Sequence, residues 1–297
     1  MVTELSALSN DLAAAVERAG RSVVAVDARP RFASCGVLWR PDVVVTAEHT
    51  IRRDEEITVT LPDGSSQTAA LAGRDPGTDI AVLRLIGATV HPGAEPAVPS
   101  NLAVQPGNLA LAIGRSPDSG VNATLGIISA VSGSWRTWRG GRLDSYIRLD
   151  LNMYPASSGG AVIDTSGAVL GIATSALSRI AALAIPASTI NRVLDEILAR
   201  GTVARGYLGV GLRPVTVRDH QTSLIVLSVE PEGPAGKAGV LVGDILLSLG
   251  GTAVAATDDV QTALESSGVG KVIEAELLRG GEPKRIAITV GERPRRD

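Results

Sequence analysis

A serine followed by two glycines is the stretch of this chain that best suits covalent chemistry. Residues 154–163 read Tyr-Pro-Ala-Ser-Ser-Gly-Gly-Ala-Val-Ile, so Ser158 stands directly before Gly159 and Gly160. Glycines allow the backbone to turn sharply and allow a substrate chain to approach the hydroxyl. The pattern indicates a serine nucleophile on a tight turn. A glycine-rich hairpin whose serines do no chemistry is an equally good interpretation of these residues alone.

His49 is the candidate base for that serine. A serine hydroxyl is a weak nucleophile until an imidazole accepts its proton, and the chain has three histidines. His49 follows the apolar run at residues 43–46, so the end of a strand is expected to present it. His91 and His220 lie in a Pro/Gly-rich and a polar stretch, which favours solvated loop positions for both.

Asp79 is the carboxylate that could accompany His49. It stands at the mouth of the apolar run at residues 80–85, where a buried or half-buried aspartate requires a polar partner. One interpretation is an aspartate that caps a turn. The other is the group that holds the imidazole of His49 in one tautomer.

Short strands are predicted to position these residues. From residue 22 to residue 185, short apolar runs alternate with turn signals, which is typical of an all-β barrel or sandwich. Helical periodicity is confined to three stretches, with Thr3, Ser188 and Thr257 as the predicted caps. The predicted organisation is an N-terminal helix at residues 1–21, a first domain at 22–202 closed by a helix at 188–200, a second domain at 203–292, and a tail at 293–297.

The composition excludes several classes of function. A net charge of −3 gives no general attraction to nucleic acid or anionic lipid, and no apolar run is long enough to span a membrane. No cluster has the spacing of metal ligands, so neither a metal nor another cofactor is expected. The single cysteine, Cys35, lies in an apolar run and is expected to be a buried thiol. If Met1 is the true start, the lack of a secretion signal predicts a cytoplasmic protein.

The chain resembles one branch of the chymotrypsin-like serine proteases. Val-Val-Val-Thr-Ala-Glu-His at residues 43–49 and Asp-Pro-Gly-Thr-Asp-Ile-Ala-Val-Leu at residues 75–83 resemble the histidine and aspartate segments of the high-temperature-requirement (HtrA) family. Residues 150–160 are similar to the segment that carries the family's serine. Gly-Tyr-Leu-Gly-Val at residues 206–210 is similar to the start of its PDZ domain. The resemblance extends over roughly residues 22–292.

This resemblance implies a mainly β protein, a chymotrypsin-like double β-barrel followed by a PDZ domain, with the site between the barrels. Ser158 would attack a peptide carbonyl, His49 would accept and return the proton, and Asp79 would orient the imidazole. The backbone N–H groups of Ala156 and Ser158 would form the oxyanion hole. The implied function is a serine endopeptidase of protein quality control that cleaves unfolded or exposed segments.

Two binding regions follow from the same resemblance. The specificity pocket would take its wall from the small and apolar residues 179–183, which favours small aliphatic side chains before the cleaved bond. In the PDZ domain, backbone N–H groups would bind a peptide C-terminus, and the peptide would add as a strand. The predicted pocket residues are Ile180, Ala181, Ala182 and Leu183, and the predicted peptide contacts are Tyr207, Leu208, Gly209, Val210 and Leu264, with Leu212 and Val260 beside them.

Departures from the family pattern leave an alternative open. Ala156 stands where the family carries a glycine of the oxyanion hole, and loss of one such donor costs about 100- to 1,000-fold in rate in a measured case. Gly133 stands where an arginine is expected in the regulatory loop at residues 133–144. A catalytically impaired pseudoprotease that binds peptides as a scaffold is therefore the second interpretation. The expected partners are unfolded polypeptides or peptide C-termini; the family implies a homotrimer, and its members are often exported.

Overall fold

The computed structural model describes residues 3–87, 93–154, 156–217 and 222–294. The chain forms two compact units, Met1–Val203 and Ala204–Asp297. His91 and His220 lie outside the described residues, so their predicted loop positions stay predictions. Among the helices described, none is both long and apolar enough to cross a membrane.

The first half of the larger unit is a closed barrel of six antiparallel strands. Valine, isoleucine and leucine, which suit a pleated backbone with a buried face, fill its interior, and Val24, Val44 and Leu83 are fully buried there. The strands are β1 (Val23–Asp27), β2 (Ser34–Arg40), β3 (Val43–Ala47), β4 (Ile57–Thr60), β5 (Ser66–Asp75) and β6 (Ile80–Leu85). They pair in the order β1-β2-β3-β6-β5-β4.

The second half of the larger unit is another closed barrel. Its six strands are β7 (Leu109–Ser116), β8 (Gly120–Ser132), β11 (Tyr146–Asp150), β12 (Ala161–Ile163), β13 (Val169–Thr174) and β14 (Ala182–Pro186). Between β8 and β11, the strands β9 (Trp135–Arg136) and β10 (Arg142–Leu143) form a separate small hairpin. The barrel strands pair in the order β11-β14-β13-β12-β7-β8. The predicted mainly β double barrel is therefore confirmed.

Two helices pack on the larger unit. Helix α1 (Glu4–Gly20) begins where expected, since the Thr3 hydroxyl accepts a hydrogen bond from the backbone N–H of Ser6 at 3.3 Å. Helix α2 (Ala187–Arg200) begins one residue earlier than its predicted cap, Ser188. Pro186 ends β14 in an extended conformation, so the helix starts directly after it and Ser188 already lies inside the first turn.

The smaller unit is an antiparallel sheet flanked by two helices, α3 (Pro234–Lys237) and α4 (Thr257–Ser267). Thr257 is the first helical residue rather than the predicted cap, because the Asp259 carboxylate accepts from the N–H groups of Ala255 and Ala256 at 2.8 Å each. The strands are β15 (Gly206–Tyr207), β16 (Val210–Thr216), β17 (Thr222–Val229), β18 (Ile245–Leu249), β19 (Thr252–Ala253), β20 (Val272–Arg279), β21 (Glu282–Thr289) and β22 (Gly291–Glu292). The main sheet has the order β16-β17-β18-β20-β21, which leaves β16 at an edge.

Candidate active site

The pairing of β3 with β6 brings His49 close to Asp79. Ala47, the last residue of β3, lies opposite Ile80, the first residue of β6. His49 follows in a single 3-10 turn, Glu48–Thr50, and Asp79 directly precedes β6. Two residues that are far apart in sequence therefore meet at one end of the first barrel.

The carboxylate of Asp79 is fully buried and hydrogen-bonded. It accepts from the backbone N–H of His49 at 2.9 Å, and it lies 2.9–3.0 Å from Nδ1 of the same residue. The N–H of His49 donates to Oδ1 of Asp79, whereas the hydroxyl of Thr174, at the end of β13 in the second barrel, donates to Oδ2 at 2.5 Å. A proton on Nδ1 would be bound by this carboxylate, which leaves Nε2 of His49 free to act as a base.

A tight turn before β6 holds Asp79 in an unusual backbone conformation. Its φ is +59°, in the left-handed region that residues other than glycine adopt rarely. The Asp75 carboxylate accepts from the backbone N–H of Gly77 at 3.2 Å and from the hydroxyl of Thr78 at 2.7 Å. In addition, the carbonyl of Asp79 accepts from the N–H of Glu48 at 3.0 Å. The turn and the 3-10 segment together fix the carboxylate under the imidazole.

Ser158 lies on the sharp turn that the sequence predicts. The N–H of Ser157 donates to the carbonyl of Tyr154 at 2.9 Å, and the N–H of Gly160 donates to the carbonyl of Ser157 at 3.0 Å. Gly159 has φ +87°, and a Cβ at this residue would lie only 2.2 Å from the carbonyl oxygen of Cys35. Only glycine fits here, because this is where the turn of the second barrel touches β2 of the first.

Two consecutive residues connect Ser158 to the Asp79–His49 pair. Thr174 donates to Asp79, and the next residue, Ser175, places its hydroxyl oxygen 3.3 Å from that of Ser158. Because neighbouring Cα atoms are about 3.8 Å apart, the hydroxyl of Ser158 and the carboxylate of Asp79 both lie beside the end of β13. Ser158 and His49 make no hydrogen bond to each other among the described contacts, a separation that is common in catalytic sites without substrate.

The oxyanion hole stays a prediction for the backbone N–H groups of Ala156 and Ser158. The N–H of Ser158 donates to no acceptor within the described part of the chain, so this donor is available to an incoming oxygen. The other predicted donor is the N–H of Ala156, which follows Pro155, a residue outside the described ranges. Ala156 itself is partly exposed beside the turn.

A cavity of about 460 Å³ has Ser175 in its wall, the residue whose hydroxyl oxygen lies 3.3 Å from that of Ser158. Three of the four predicted pocket residues, Ile180, Ala181 and Ala182, line it. Leu183, the fourth, is only 1% exposed and packs in the core with Ile185. The alternation of side chains along β14 explains why Leu183 lies apart from the other three, since it points to the face opposite Ala182.

Charged and polar residues that the sequence did not predict also line this cavity. Arg148 and Asp150 of β11 contribute to its wall together with Ser129 and Ser175. Alternation along β11 places Arg148 and Asp150 on one face, which is the face of Leu183, the partner of Arg148, whereas Leu149 is paired with Ala182. The cavity is therefore only partly apolar.

Cys35 is buried as predicted. Burial raises the pKa of its thiol to about 11, against an opposing hydrogen bond from the N–H of Arg115 at 3.2 Å. A thiol that stays protonated at neutral pH is a poor nucleophile. Its backbone has a structural task instead, since the N–H of Cys35 donates to the carbonyl of Ser158 at 3.3 Å.

The predicted peptide-binding residues of the smaller unit gather at the start of edge strand β16. Within the described residues, the N–H groups of Leu208 and Gly209 donate to no acceptor, whereas their carbonyls accept from Ala235 and Glu230 at 2.8 Å each. Gly209 has φ +74°, which turns the loop. The hydroxyl of Tyr207 donates to the Glu230 carboxylate. The remaining predicted residues lie beneath and beside this loop, with Val260 and Leu264 buried and Val210 and Leu212 half-buried.

Comparisons with known proteins agree with these features. A trypsin-like peptidase domain model matches residues 34–172, and a PDZ domain model matches residues 206–290. A Brucella suis protein named as a probable periplasmic DegP-like serine endoprotease is 33% identical over 271 residues, which cover 87% of this chain and 52% of that protein. This chain thus spans about half the length of such curated relatives.

Two solved structures superpose on nearly the whole chain. The serine endoprotease from Yersinia pestis has a TM-score of 0.80 and 30% identity, covering 96% of this chain and 98% of that one. The HtrA-type protease AlgW with a decapeptide has a TM-score of 0.82 and 26% identity, covering 96% and 99%. The double barrel and the smaller unit both have their counterparts in proteins of this kind.

Proposed function

The chain belongs to the HtrA family of serine proteases, and we propose that it is itself a serine endopeptidase that cleaves unfolded or exposed protein segments. One observation carries this proposal. The buried Asp79 carboxylate holds His49 through Nδ1 at 2.9–3.0 Å, while Thr174 and Ser175 link that carboxylate to the hydroxyl of Ser158. These are the nucleophile, base and orienting group of acyl transfer.

The reaction uses the groups of this chain as follows. Ser158 Oγ attacks the carbonyl carbon of a peptide bond as Nε2 of His49 takes the hydroxyl proton. The resulting oxyanion is held by backbone N–H groups at Ser158 and Ala156. His49 then gives the proton to the leaving amine, which frees one product and leaves an acyl-enzyme. A water molecule, deprotonated in turn by His49, releases the second product and restores the serine.

We also propose that the smaller unit binds peptide C-termini. The free N–H groups of Leu208 and Gly209 suit a terminal carboxylate, and the unpaired edge of β16 suits an added strand. Peptides with a free C-terminus should bind, whereas the same peptides with a C-terminal amide should bind at least about tenfold more weakly, because the amide carries no charge. Fluorescence polarisation measures both.

Digestion of an unfolded protein tests the endopeptidase function. The chain should degrade an unfolded protein such as casein, and the Ser158→Ala variant should not. Ser157→Ala is the matched control, since it removes the neighbouring hydroxyl and leaves the proposed nucleophile in place. A folded chain that binds peptides and never cleaves them would instead be a peptide-binding pseudoprotease, the alternative suggested by Ala156 in place of the family's glycine.

Compartment and assembly stay predictions. The Brucella suis relative is named as periplasmic, which fits export of such proteins, whereas the cytoplasmic expectation for this chain depends on Met1 being its start. The expected homotrimer also stays a prediction. Size-exclusion chromatography with light scattering distinguishes a trimer from a monomer.

A further inference from the structure

The β9–β10 hairpin (residues 135–143) contacts the turn that precedes Asp79. The hydroxyl of Thr137, in this hairpin, donates to the carbonyl of Gly77 at 2.7 Å. The same hydroxyl accepts from the backbone N–H of Gly141 at 3.2 Å, so its proton is directed at Gly77. The hairpin therefore forms a hydrogen bond to the main chain two residues before the carboxylate of the proposed catalytic pair.

The hairpin and the turn are packed tightly at this contact. A Cβ at Gly141 would lie 2.1 Å from the carbonyl carbon of Gly77 and 2.6 Å from the backbone nitrogen of Thr78, so only glycine allows this approach. Thr137 is 4% exposed, whereas its neighbour Trp138 is 74% exposed. Large apolar side chains are usually the ones that are buried, and here the hairpin buries a hydroxyl instead.

The carbonyl of Gly77 depends on this hydroxyl. Gly77 is buried, and among the hydrogen bonds of the described residues Thr137 provides the one donor to its carbonyl oxygen. A buried carbonyl without a donor costs free energy comparable to a lost hydrogen bond. If the hydroxyl were removed, the turn would have to move to find another donor.

Such a movement would reach Asp79 because its backbone is strained. A residue other than glycine at φ +59° keeps that conformation only when its surroundings hold it at several points. Asp75 accepts from the N–H of Gly77 and from the hydroxyl of Thr78. Thr137 holds the Gly77–Thr78 peptide group from its other side, next to the peptide group that determines φ of Asp79.

A second contact of the hairpin contributes less. Arg139 lies 3.7 Å from the carboxylate of Glu48, the residue directly before His49. The side chain of Arg139 is 35% exposed, and Arg74 pairs with the same carboxylate at 3.5 Å. Ion pairs that water reaches contribute little, and one arginine would remain if the other were removed. The hairpin therefore acts on the site chiefly through Thr137.

We propose that Thr137 is a positioning residue for the catalytic pair, since its hydrogen bond to Gly77 keeps the carboxylate of Asp79 under the imidazole of His49. This inference rests on the proposed endopeptidase function. It adds a residue that touches neither the substrate nor the reacting atoms, and it makes catalysis depend on a hairpin that contributes no reacting group.

Thr137→Val tests the proposal, because valine has nearly the shape of threonine and lacks the hydroxyl. We expect kcat for a peptide substrate to fall about fivefold with KM little changed, since a catalytic group misplaced by about 1 Å can cost about 100-fold and Thr137 acts only through Gly77. Thr137→Ser keeps the hydroxyl and should restore kcat. A serine variant as slow as the valine variant would overturn the proposal.

Two further variants are the controls. Thr189→Val removes another fully buried hydroxyl, which accepts from the N–H of Asp144 at 2.9 Å just beyond the hairpin. Arg139→Gln removes the weaker contact of the hairpin. Both should retain kcat. An unchanged kcat in Thr137→Val, or an equal loss in Thr189→Val, would contradict the proposal.

A spectroscopic measurement separates this inference from the endopeptidase function. The ring-nitrogen NMR signals of His49, assigned by their loss in His49→Ala, report its contact with Asp79 without any substrate. These signals should move in Thr137→Val and stay in place in Thr137→Ser and Thr189→Val. If the unmodified chain cleaves nothing, the endopeptidase function fails and these signals decide the inference. Signals that stay in place in folded Thr137→Val would overturn it.

Discussion

The carboxylate of Asp79 binds His49 twice, through the backbone N–H at 2.9 Å and through Nδ1 at 2.9–3.0 Å. The first contact fixes the main chain of the 3-10 turn and the second fixes the ring. Rotation of the ring away from the site would break a hydrogen bond to a fully buried carboxylate and leave its charge poorly compensated, which is costly. The imidazole is therefore held in place before any substrate arrives.

Thr174→Val should lower catalysis without unfolding the chain. The change removes the hydroxyl that donates to Asp79 at 2.5 Å, so the carboxylate is held less firmly and the imidazole with it. We expect kcat to fall about tenfold, by analogy with the loss of about 10- to 100-fold when a partner that orients a metal-binding side chain is removed, with KM little changed.

Thr189→Val is the control for that measurement. Thr189 is equally buried, and its hydroxyl accepts from the N–H of Asp144 at 2.9 Å, outside the site. Both variants lose a buried hydroxyl in the same unit, and only Thr174→Val should reduce kcat. Equal effects on kcat would indicate that Thr174 contributes to stability alone.

Ala156→Gly should increase kcat. Glycine permits backbone conformations that a Cβ disfavours, and one well-placed oxyanion donor is worth about 100- to 1,000-fold in rate. We expect a gain of about tenfold or more in steady-state cleavage. The double variant Ala156→Gly/Ser158→Ala must be inactive if the gain operates through Ser158. An unchanged kcat would mean that Ala156 already presents its N–H correctly.

Alkaline pH should destabilise the larger unit through Cys35. Burial raises the pKa of the folded thiol from 9.0 to about 11, so the protonated thiol is favoured by folding. This contribution is complete below the ordinary thiol pKa and is lost as the pH rises toward about 11. The loss amounts to about 3 kcal/mol at 1.36 kcal/mol per unit. Urea unfolding between pH 8 and 11 should show a steeper decline than in Cys35→Ala, and parallel curves would contradict this.

Acid should weaken the smaller unit through Asp244. Two hydrogen bonds from Arg279, at 2.7 and 2.8 Å, hold the pKa of this buried carboxyl below its ordinary value, although burial opposes them. The stabilisation is present above the ordinary carboxyl pKa and is lost as the pH falls through the lowered one.

Asp244→Asn tests that contribution. It should cost about 2–3 kcal/mol at pH 7, and the cost should shrink below pH 4. Hydrogen exchange of β18 and β20 reports the stability of this unit directly. Asp258→Asn, at an exposed position of α4, should leave exchange unchanged at both pH values.

Much of the fold and the positions of His49 and Asp79 at strand ends could be predicted because short-range patterns determine them. The apolar run at residues 43–46 and the one that begins at Ile80 already imply strand ends beside His49 and Asp79, and the pairing of β3 with β6 brings those ends together. Asp-Thr-Ser-Gly at residues 164–167 is likewise a local turn signal, and the Asp164 carboxylate accepts there from the N–H of Ser166 at 2.8 Å.

The remaining features depend on contacts between distant segments. Nothing local in the sequence indicates that Thr174 donates to Asp79, because this contact joins the two barrels, or that Ser175 lies beside Ser158, because that contact depends on the pairing of β12 with β13. Leu183 was predicted in the pocket and lies in the core, since the residues of a strand alternate between two faces.

Covalent labelling with a fluorophosphonate asks most directly whether Ser158 is an activated nucleophile. The probe should modify one residue per chain, identified by mass spectrometry as Ser158. Labelling should disappear in Ser158→Ala and His49→Ala and persist in Ser157→Ala. A folded chain that remains unlabelled, or one that is labelled on another serine, would contradict the assignment of Ser158, His49 and Asp79 as the catalytic groups.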